Sequence, residues 1–300
     1  MKHMTSLRYF EAVAREKSIR KAAETLAITS TALNRRILTL EDEIGQPLFE
    51  RLPSGVRLNT AGEIFLQHIR SQFSDLERVK SQIADLTGIR RGHISLSCTP
   101  EALKFLLPQQ IARYRREHPG VTFSVARHHR AEAEQALTAL QTDIALVFEP
   151  IQSPVFRVLA TMRLAVQAIM AADHPLAGKE RIRLRDCIGY PVILPTERSG
   201  IRQLVDVSLL LNPLPIACVV ESDSLDFLQH YLLQEDAISF QLPIGMDPTE
   251  TRLIQRPLDE RDAKTGLLHI GQLNGRVLSV AAAKFMDQLV LHAATAEQDG

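Results

Sequence analysis

Apolar residues in the first ninety positions recur every three to four places, the spacing of one face of a helix. Leu7, Phe10, Val13 and Ala14 form such a stripe, which ends near Lys17. Ser18 stands where a side-chain oxygen caps a short second helix, from Ile19 to about Leu26. Ala27-Ile28 then makes a tight turn, and Thr29 caps a third helix that runs through about Glu43 and stops at Gly45. In PLFERLPSGVRLN two short β-prone pieces flank Pro53-Ser54-Gly55, a hairpin signal. Thr60 opens a long helix that reaches about Thr87 and is closed by Gly88.

From His93 onward, strands alternate with helices. HISLSC reads as a strand, followed by Thr99-Pro100 as an N-cap with proline in the first helical position, and Pro108 restarts the helix to about Glu117. VTFSVA, a helix over 131–141, and DIALV follow. RLAVQAIM, YPVIL, a helix from about Ser199, IACVV, a helix from Ser222, and AISF continue the rhythm. LLHIGQ and a helix from about Arg276 to His292 complete it. This β/α order predicts an α/β protein with mostly parallel sheets.

Two short helices joined by a tight turn, with Ala22-Ala23 allowing a close crossing, make a helix-turn-helix, whose second helix can protrude into a major groove. On that helix Ala32, Leu33, Ile37 and Leu40 face inward, while Ser30, Thr31, Asn34 and Arg35 line the other face near its N-terminus. Asparagine can pair bidentately with adenine and arginine with guanine, and hydroxyls serve bases or phosphates. Taken alone, these four residues fit an ordinary solvated helix face equally well. Arg51 and Arg57 on the hairpin tip the balance, because basic wing residues reach phosphates or the minor groove.

Charge changes the picture only through its distribution. The 300 residues carry 35 Lys+Arg and 35 Asp+Glu, yet residues 1–92 hold 15 basic against 11 acidic side chains, and the remainder reverses the excess. A basic head on an acidic body is the result. The opening MKHMTSLRYFEAVAREKS has no apolar run with a cleavage site, so a cytoplasmic protein without a membrane span is expected. Cys98, Cys187 and Cys218 are odd in number and far apart, which excludes a disulfide framework.

The ordered string AxxLxITSTALNRRIxxLEDEIGQPLFERLPSGVRLNTAGE resembles the DNA-binding signature of LysR-type transcriptional regulators. LLPQQIARYRREHPGVTFSV, DIALVFEP, ADHPLAG and VVESDSLDFL are similar, in the same order, to that family's effector domain. Three departures stand out. Ser30 replaces a frequent glutamine, Asn34 replaces a frequent serine, and LLQEDAISFQ lacks the usual glycine between helix and strand. The resemblance implies a winged helix-turn-helix over 1–62, a dimerising linker helix over 63–90, and an effector-binding domain over 91–300. That domain would hold two Rossmann-like lobes resembling a periplasmic binding protein, about 91–163 with 269–295 and about 164–268, with crossovers near Met162–Val166 and Lys264–His269.

Ile69, Phe73, Leu76, Val79, Ile83 and Leu86 recur close to a heptad seam, so a partner helix is expected at Ile69, Phe73, Leu76 and Ile83; packing on the chain's own wing domain is the alternative. The family likeness implies a homodimer or homotetramer on pseudo-palindromic double-stranded DNA, with RNA polymerase as a further partner. A small-molecule effector would sit between the lobes, at strand ends and helix starts. The candidates there are Thr99, Glu101, Phe148, Glu149, Thr196, Arg198 and Ser222, beside Glu197, Ser199 and Asp223. Helix N-termini and Arg198 favour a small carboxylate, whereas Glu101, Glu149 and Glu197 favour an amine; helix capping explains Thr99, Thr196 and Ser222 equally well.

His128-His129 lacks accompanying metal-ligand spacing and reads as a solvated loop, and Cys98 as a small buried thiol rather than a redox switch. With no nucleophile, metal, cofactor or phosphate-loop motif, neither an enzyme nor a cofactor is expected. A metabolic enzyme or a solute-binding protein built on the two lobes remains the alternative, to be judged on turnover by residues 90–300.

Overall fold

The computed structural model describes residues 2–86, 91–148, 153–211, 213–247, 249–263 and 265–298. Two compact units divide the chain, Met1–Val79 and Lys80–Gly300.

In the first unit, α1 (Lys2–Glu16), α2 (Ile19–Thr25) and α3 (Ser30–Ile44) are followed by strands β1 (Phe49–Leu52) and β2 (Gly55–Leu58), and then by the start of α4 (Thr60–Leu86). The caps explain the boundaries. Ser18 Oγ accepts from the Lys21 N–H and Thr29 Oγ1 from the Ala32 N–H, satisfying donors that a helix start leaves free. Gly45, at φ +76°, ends α3 in the left-handed region. Ala27 also takes a positive φ, 53°, so the tight turn is closed by a residue that bears a small steric cost there. Phe10 is fully buried and its ring meets Phe49 at 4.9 Å and Phe65 at 5.3 Å, with Leu33, Ile37, Leu40 and Leu48 around them.

Ile69 belongs to this same core and is 0 % exposed. That corrects its expected place in a dimer seam, because the domain already covers it. Phe73 packs partly against the core, Leu76 is half-buried, and Val79 and Ile83 remain exposed. A 3–4 spacing tells that a stripe needs covering, and not which surface covers it.

The second unit contains two lobes. The first has a five-stranded sheet in the order β4-β3-β5-β12-β6, built from β3 (Gly92–Cys98), β4 (Val121–Arg127), β5 (Ile144–Phe148), β6 (Phe156–Leu164) and β12 (Gly266–Leu273). Helices α5 (Pro100–Lys104), α6 (Leu106–Glu117), α7 (Arg130–Thr138) and α10 (Val280–Gln298) accompany it. The second has β10-β7-β11, from β7 (Gln167–Ala171), β10 (Ser239–Gln241) and β11 (Leu253–Pro257), linked by a Val192–Ile238 bridge to the pair β8 (Val192–Pro195) and β9 (Cys218–Ser222). Its helices are α8 (Gly200–Leu211) and α9 (Leu225–Tyr231).

The expectation of mostly parallel sheets is corrected. β3 runs parallel to β4 and β5, and β8 to β9, but β12 is antiparallel to both β5 and β6, and β7 to both β10 and β11. The reversed strands are those that carry the chain between lobes, and a strand arriving from the other lobe enters its sheet against the βαβ direction. RLAVQAIM, expected as one strand, is the crossing itself: β6 ends at Leu164 and β7 begins at Gln167. Asp143 ties the first lobe together, accepting from the Ser95 N–H and hydroxyl and from Arg276 Nη2 at 2.6 Å.

Candidate functional site

On α3 the inward positions Leu33, Ile37 and Leu40 are buried, while Ser30, Thr31 and Arg35 are exposed and Asn34 is half-buried. The polar edge over 30–35 is therefore open, on a helix whose other face is anchored in the core. Glu41 fixes the wing to this helix, its Oε1 accepting from the N–H groups of Leu48 (2.7 Å) and Phe49 (3.0 Å). Hydrogen bonds to a charged acceptor are among the stronger ones, so the wing is held at a set distance from the reading edge. At the start of α4, a Cβ on Gly62 would lie 2.1 Å from the Leu48 carbonyl oxygen, so only glycine admits this close return of the chain.

The two wing arginines differ. Arg57 pairs with Glu50 across the hairpin at 2.6 Å. Arg51 instead donates from Nη2 to Asn34 Oδ1 at 3.1 Å, joining wing and recognition helix. Sequence reasoning finds both residues and not their bond, because a 17-residue separation leaves no local signal.

In the second unit the ends of the parallel strands β3, β4, β5, β8 and β9 open on a cleft between the lobes, the position that α/β sheets offer to ligands. A chamber of about 360 Å³ is lined by Thr99, His129, Phe148, Arg198, Gly200 and Gln203, among others. It adjoins a wider, open cavity of about 1160 Å³, where Thr196, Ser222 and Arg127 join His129 and Arg198. Five of the expected residues thus come together: Thr99, Phe148, Thr196, Arg198 and Ser222. Glu101 does not line either cavity; it is buried beside Gly245 and Gln241, and that burial pushes its carboxyl above the ordinary range. Its expected contact with effector is corrected accordingly. Glu149 lies outside the described residues.

Thr99 precedes α5 in N-cap position, but its hydroxyl makes no capping bond. It lies near Glu101, whose carboxyl it helps to hold down, yet it is buried without a hydrogen bond of good geometry. Ser199 Oγ, just before α8, is likewise buried and unpartnered. Simple capping does not account for either. Ser222, expected to start a helix, does not; Ser224 caps α9, and Ser222 Oγ accepts from the Ser224 N–H. Three acidic groups of the wider cavity are occupied: Glu132 by the His129 N–H, Glu221 by Arg202, and Asp223 by Arg127 at 3.9 Å. Among the described residues no carboxylate lies within the 4.0 Å ion-pairing distance of Arg198.

His129 is a cleft residue rather than part of a solvated loop. It is half-buried on the wall of both cavities, where burial lowers its pKa; Arg127 and Arg198 push the same way and Glu132 and Asp223 oppose them. The available signal is its place after VTFSVA, since β4 ends beside β3 in parallel. His128 is held by Ser97 Oγ at 2.9 Å. Cys98 is fully buried and its pKa is pushed up to about 12, so at neutral pH it is a thiol.

Phe148 is pinned between two glycines. A Cβ on Gly200 would lie 2.1 Å from its Cδ1, and one on Gly266 2.1 Å from its Cζ. The ring reaches from β5 of one lobe to the first residue of α8 in the other.

An open polar edge on a helix-turn-helix, carried in one chain with a two-lobed cleft, defines a DNA-binding regulator with a small-molecule-binding domain. Residues 4–63 match the bacterial regulatory helix-turn-helix protein, lysR family, and residues 87–294 match the LysR substrate binding domain. The chain belongs to the LysR family of transcriptional regulators, and it is a regulator rather than an enzyme. It is 26 % identical over 287 residues to the uncharacterized HTH-type transcriptional regulator YybE of Bacillus subtilis, covering 95 % of this chain and 97 % of that one. It is 30 % identical over 203 residues to the RuBisCO operon transcriptional regulator of Allochromatium vinosum, covering 68 % and 67 %. In fold it is similar to a full-length OxyR variant from Pseudomonas aeruginosa, with TM-score 0.69, 21 % identity and coverage of 97 % and 94 %. Full-length CbnR complexed with its target DNA gives TM-score 0.67, 16 % identity and coverage of 97 % and 99 %. No helix among the described residues is long and apolar enough to cross a membrane.

Proposed function

We propose that this regulator reads a pseudo-palindromic DNA site as a homodimer or homotetramer, and that a small carboxylate bound between its lobes changes that reading. Ser30, Thr31, Asn34 and Arg35 are the base-reading group, with Arg51 and Arg57 reaching the backbone from the wing. The single observation carrying this half is the exposure of the 30–35 edge on a helix anchored from behind. Phe73, Leu76 and Ile83 of α4 meet the partner helix, within a division into head (1–62), linker (63–90) and sensor (91–300). Exposed Val79 and Ile83 support that seam. For an activator, RNA polymerase is the further partner.

In the sensor, Thr99 and Arg198 grip the effector beside Phe148, with Thr196 and Ser222 on the wider side. The support is chemical: the buried hydroxyl of Thr99, without a hydrogen bond of good geometry, the start of α8 at Gly200, and a guanidinium with no carboxylate in ion-pairing range among the described residues line one small space. Fluorescence anisotropy of the full chain on genomic fragments tests the whole reading. Salt-sensitive, sequence-selective binding that shifts with an added carboxylate is expected; equal affinity for random DNA at every salt concentration would overturn it.

A further inference from the structure

A guanidinium carries donors only, so the edge of the Asn34 carboxamide turned toward Arg51 must be its oxygen. The amide nitrogen is the end of the carboxamide that Arg51 does not hold, on a residue that shares a helix edge with Ser30 and Thr31. A bidentate grip on adenine needs both ends of that carboxamide: the oxygen to accept from N6 and the nitrogen to donate to N7. In this head one of the oxygen's two lone pairs is taken by Arg51, and the guanidinium beside it sets donors where the adenine N6 amine, itself a donor, would have to approach. Arg57 is occupied by Glu50, whereas among the described residues Arg51 has no carboxylate within ion-pairing distance and is turned to the recognition helix.

We propose that Asn34 and Arg51 act as one specificity-determining unit, in which Arg51 orients the Asn34 carboxamide so that Asn34 donates to a base edge offering acceptors, guanine before thymine, instead of gripping adenine. Guanine presents N7 and O6 together in the major groove and thymine presents O4, whereas adenine offers N7 alone, beside an N6 donor that meets the donors of Asn34 and Arg51. Arg51 is then a positioning residue for Asn34 as well as a cation near the backbone. The inference rests on the reading that the 30–35 edge meets base edges.

The test begins by selecting binding sites for the full chain from a randomised duplex library. All four bases are then placed at each half-site position, and affinities are measured for the wild type and four variants. One position should favour guanine over adenine and cytosine by about tenfold or more, and Asn34→Ala should level that position alone. Asn34→Asp keeps the acceptor for Arg51 and loses the donor, so the preference should pass to cytosine, whose N4 amine donates. Arg51→Ala should free the oxygen and let adenine rise at the same position, while the slope of log affinity against log salt falls by about one. Arg51→Lys, which still donates, should restore part of the guanine preference.

Adenine favoured at that position by the wild type would overturn the proposal, as would an Arg51→Ala effect that is uniform over all bases. Asn34→Asp leaving the preference unchanged would do the same. Failure of the underlying reading looks different: no consensus emerges from the library, or Asn34→Ala changes no position. Unchanged circular dichroism and retained non-specific binding establish that each variant is folded.

Discussion

The reading head and the sensor cleft both present polar groups to a partner, and they do so in opposite ways. The head's groups are at the surface, where water satisfies them until DNA arrives; Ser30, Thr31 and Arg35 are exposed. The cleft's Thr99 is 5 % exposed, and its hydroxyl makes no hydrogen bond of good geometry. An unmet polar group in the interior costs roughly 1–3 kcal/mol, so a fold retains it where occupation by a ligand returns that cost. Changes in the head should therefore alter binding and spare stability, while changes in the cleft should alter both.

The largest expected effect breaks the cleft. Phe148→Ala removes a ring that is 3 % exposed and should destabilise the sensor by about 3–5 kcal/mol. Differential scanning calorimetry should show that transition moving down while the transition of the Met1–Val79 unit stays in place. A matching change in the head behaves otherwise: Arg35→Ala should weaken specific DNA binding by about 1–3 kcal/mol and shift stability by no more than about 0.5 kcal/mol, as titration and thermal melting would show.

A sharper contrast is one of sign. Thr99→Val removes at equal size a hydroxyl that makes no hydrogen bond of good geometry, so it should stabilise the effector-free protein by up to about 1 kcal/mol, less what its nearness to Glu101 returns, while abolishing the response to effector. A loss of stability instead would mean that the hydroxyl is satisfied within the fold. Glu101 adds a pH effect. Its folded-state pKa is raised by burial, so its contribution to stability is present below the unfolded carboxylate value and declines as pH rises toward the folded one. Glu101→Gln should flatten the fall in melting temperature over that interval. Smallest of all, Arg57→Ala should leave the melting temperature unchanged, because its pair with Glu50 is exposed.

What is legible in the sequence follows from range. Thr29 and Gly45 bound α3 through contacts within four residues, and Pro53-Ser54-Gly55 turns the hairpin by itself. The positions of Thr99, Phe148 and Arg198 at strand ends are readable because a βα unit places its own ends. His129 is not, because its role depends on β4 lying beside β3, and β11 escapes recognition because LIQRP gains its partner only from β7, some eighty residues earlier. Ile69 shows the same limit on a helix. Its apolar spacing is local, whereas its burial comes from joining the core cluster that also holds Phe10 and Leu33.

The most direct measurement of the central claim is footprinting of the full chain on its selected site. Two protected half-sites should appear with centres a helical turn, or a whole number of turns, apart, and Arg35→Ala should erase them at protein concentrations where non-specific binding persists. A featureless footprint from the wild type, or one identical in Arg35→Ala, would contradict the account that the exposed edge of α3 reads the DNA.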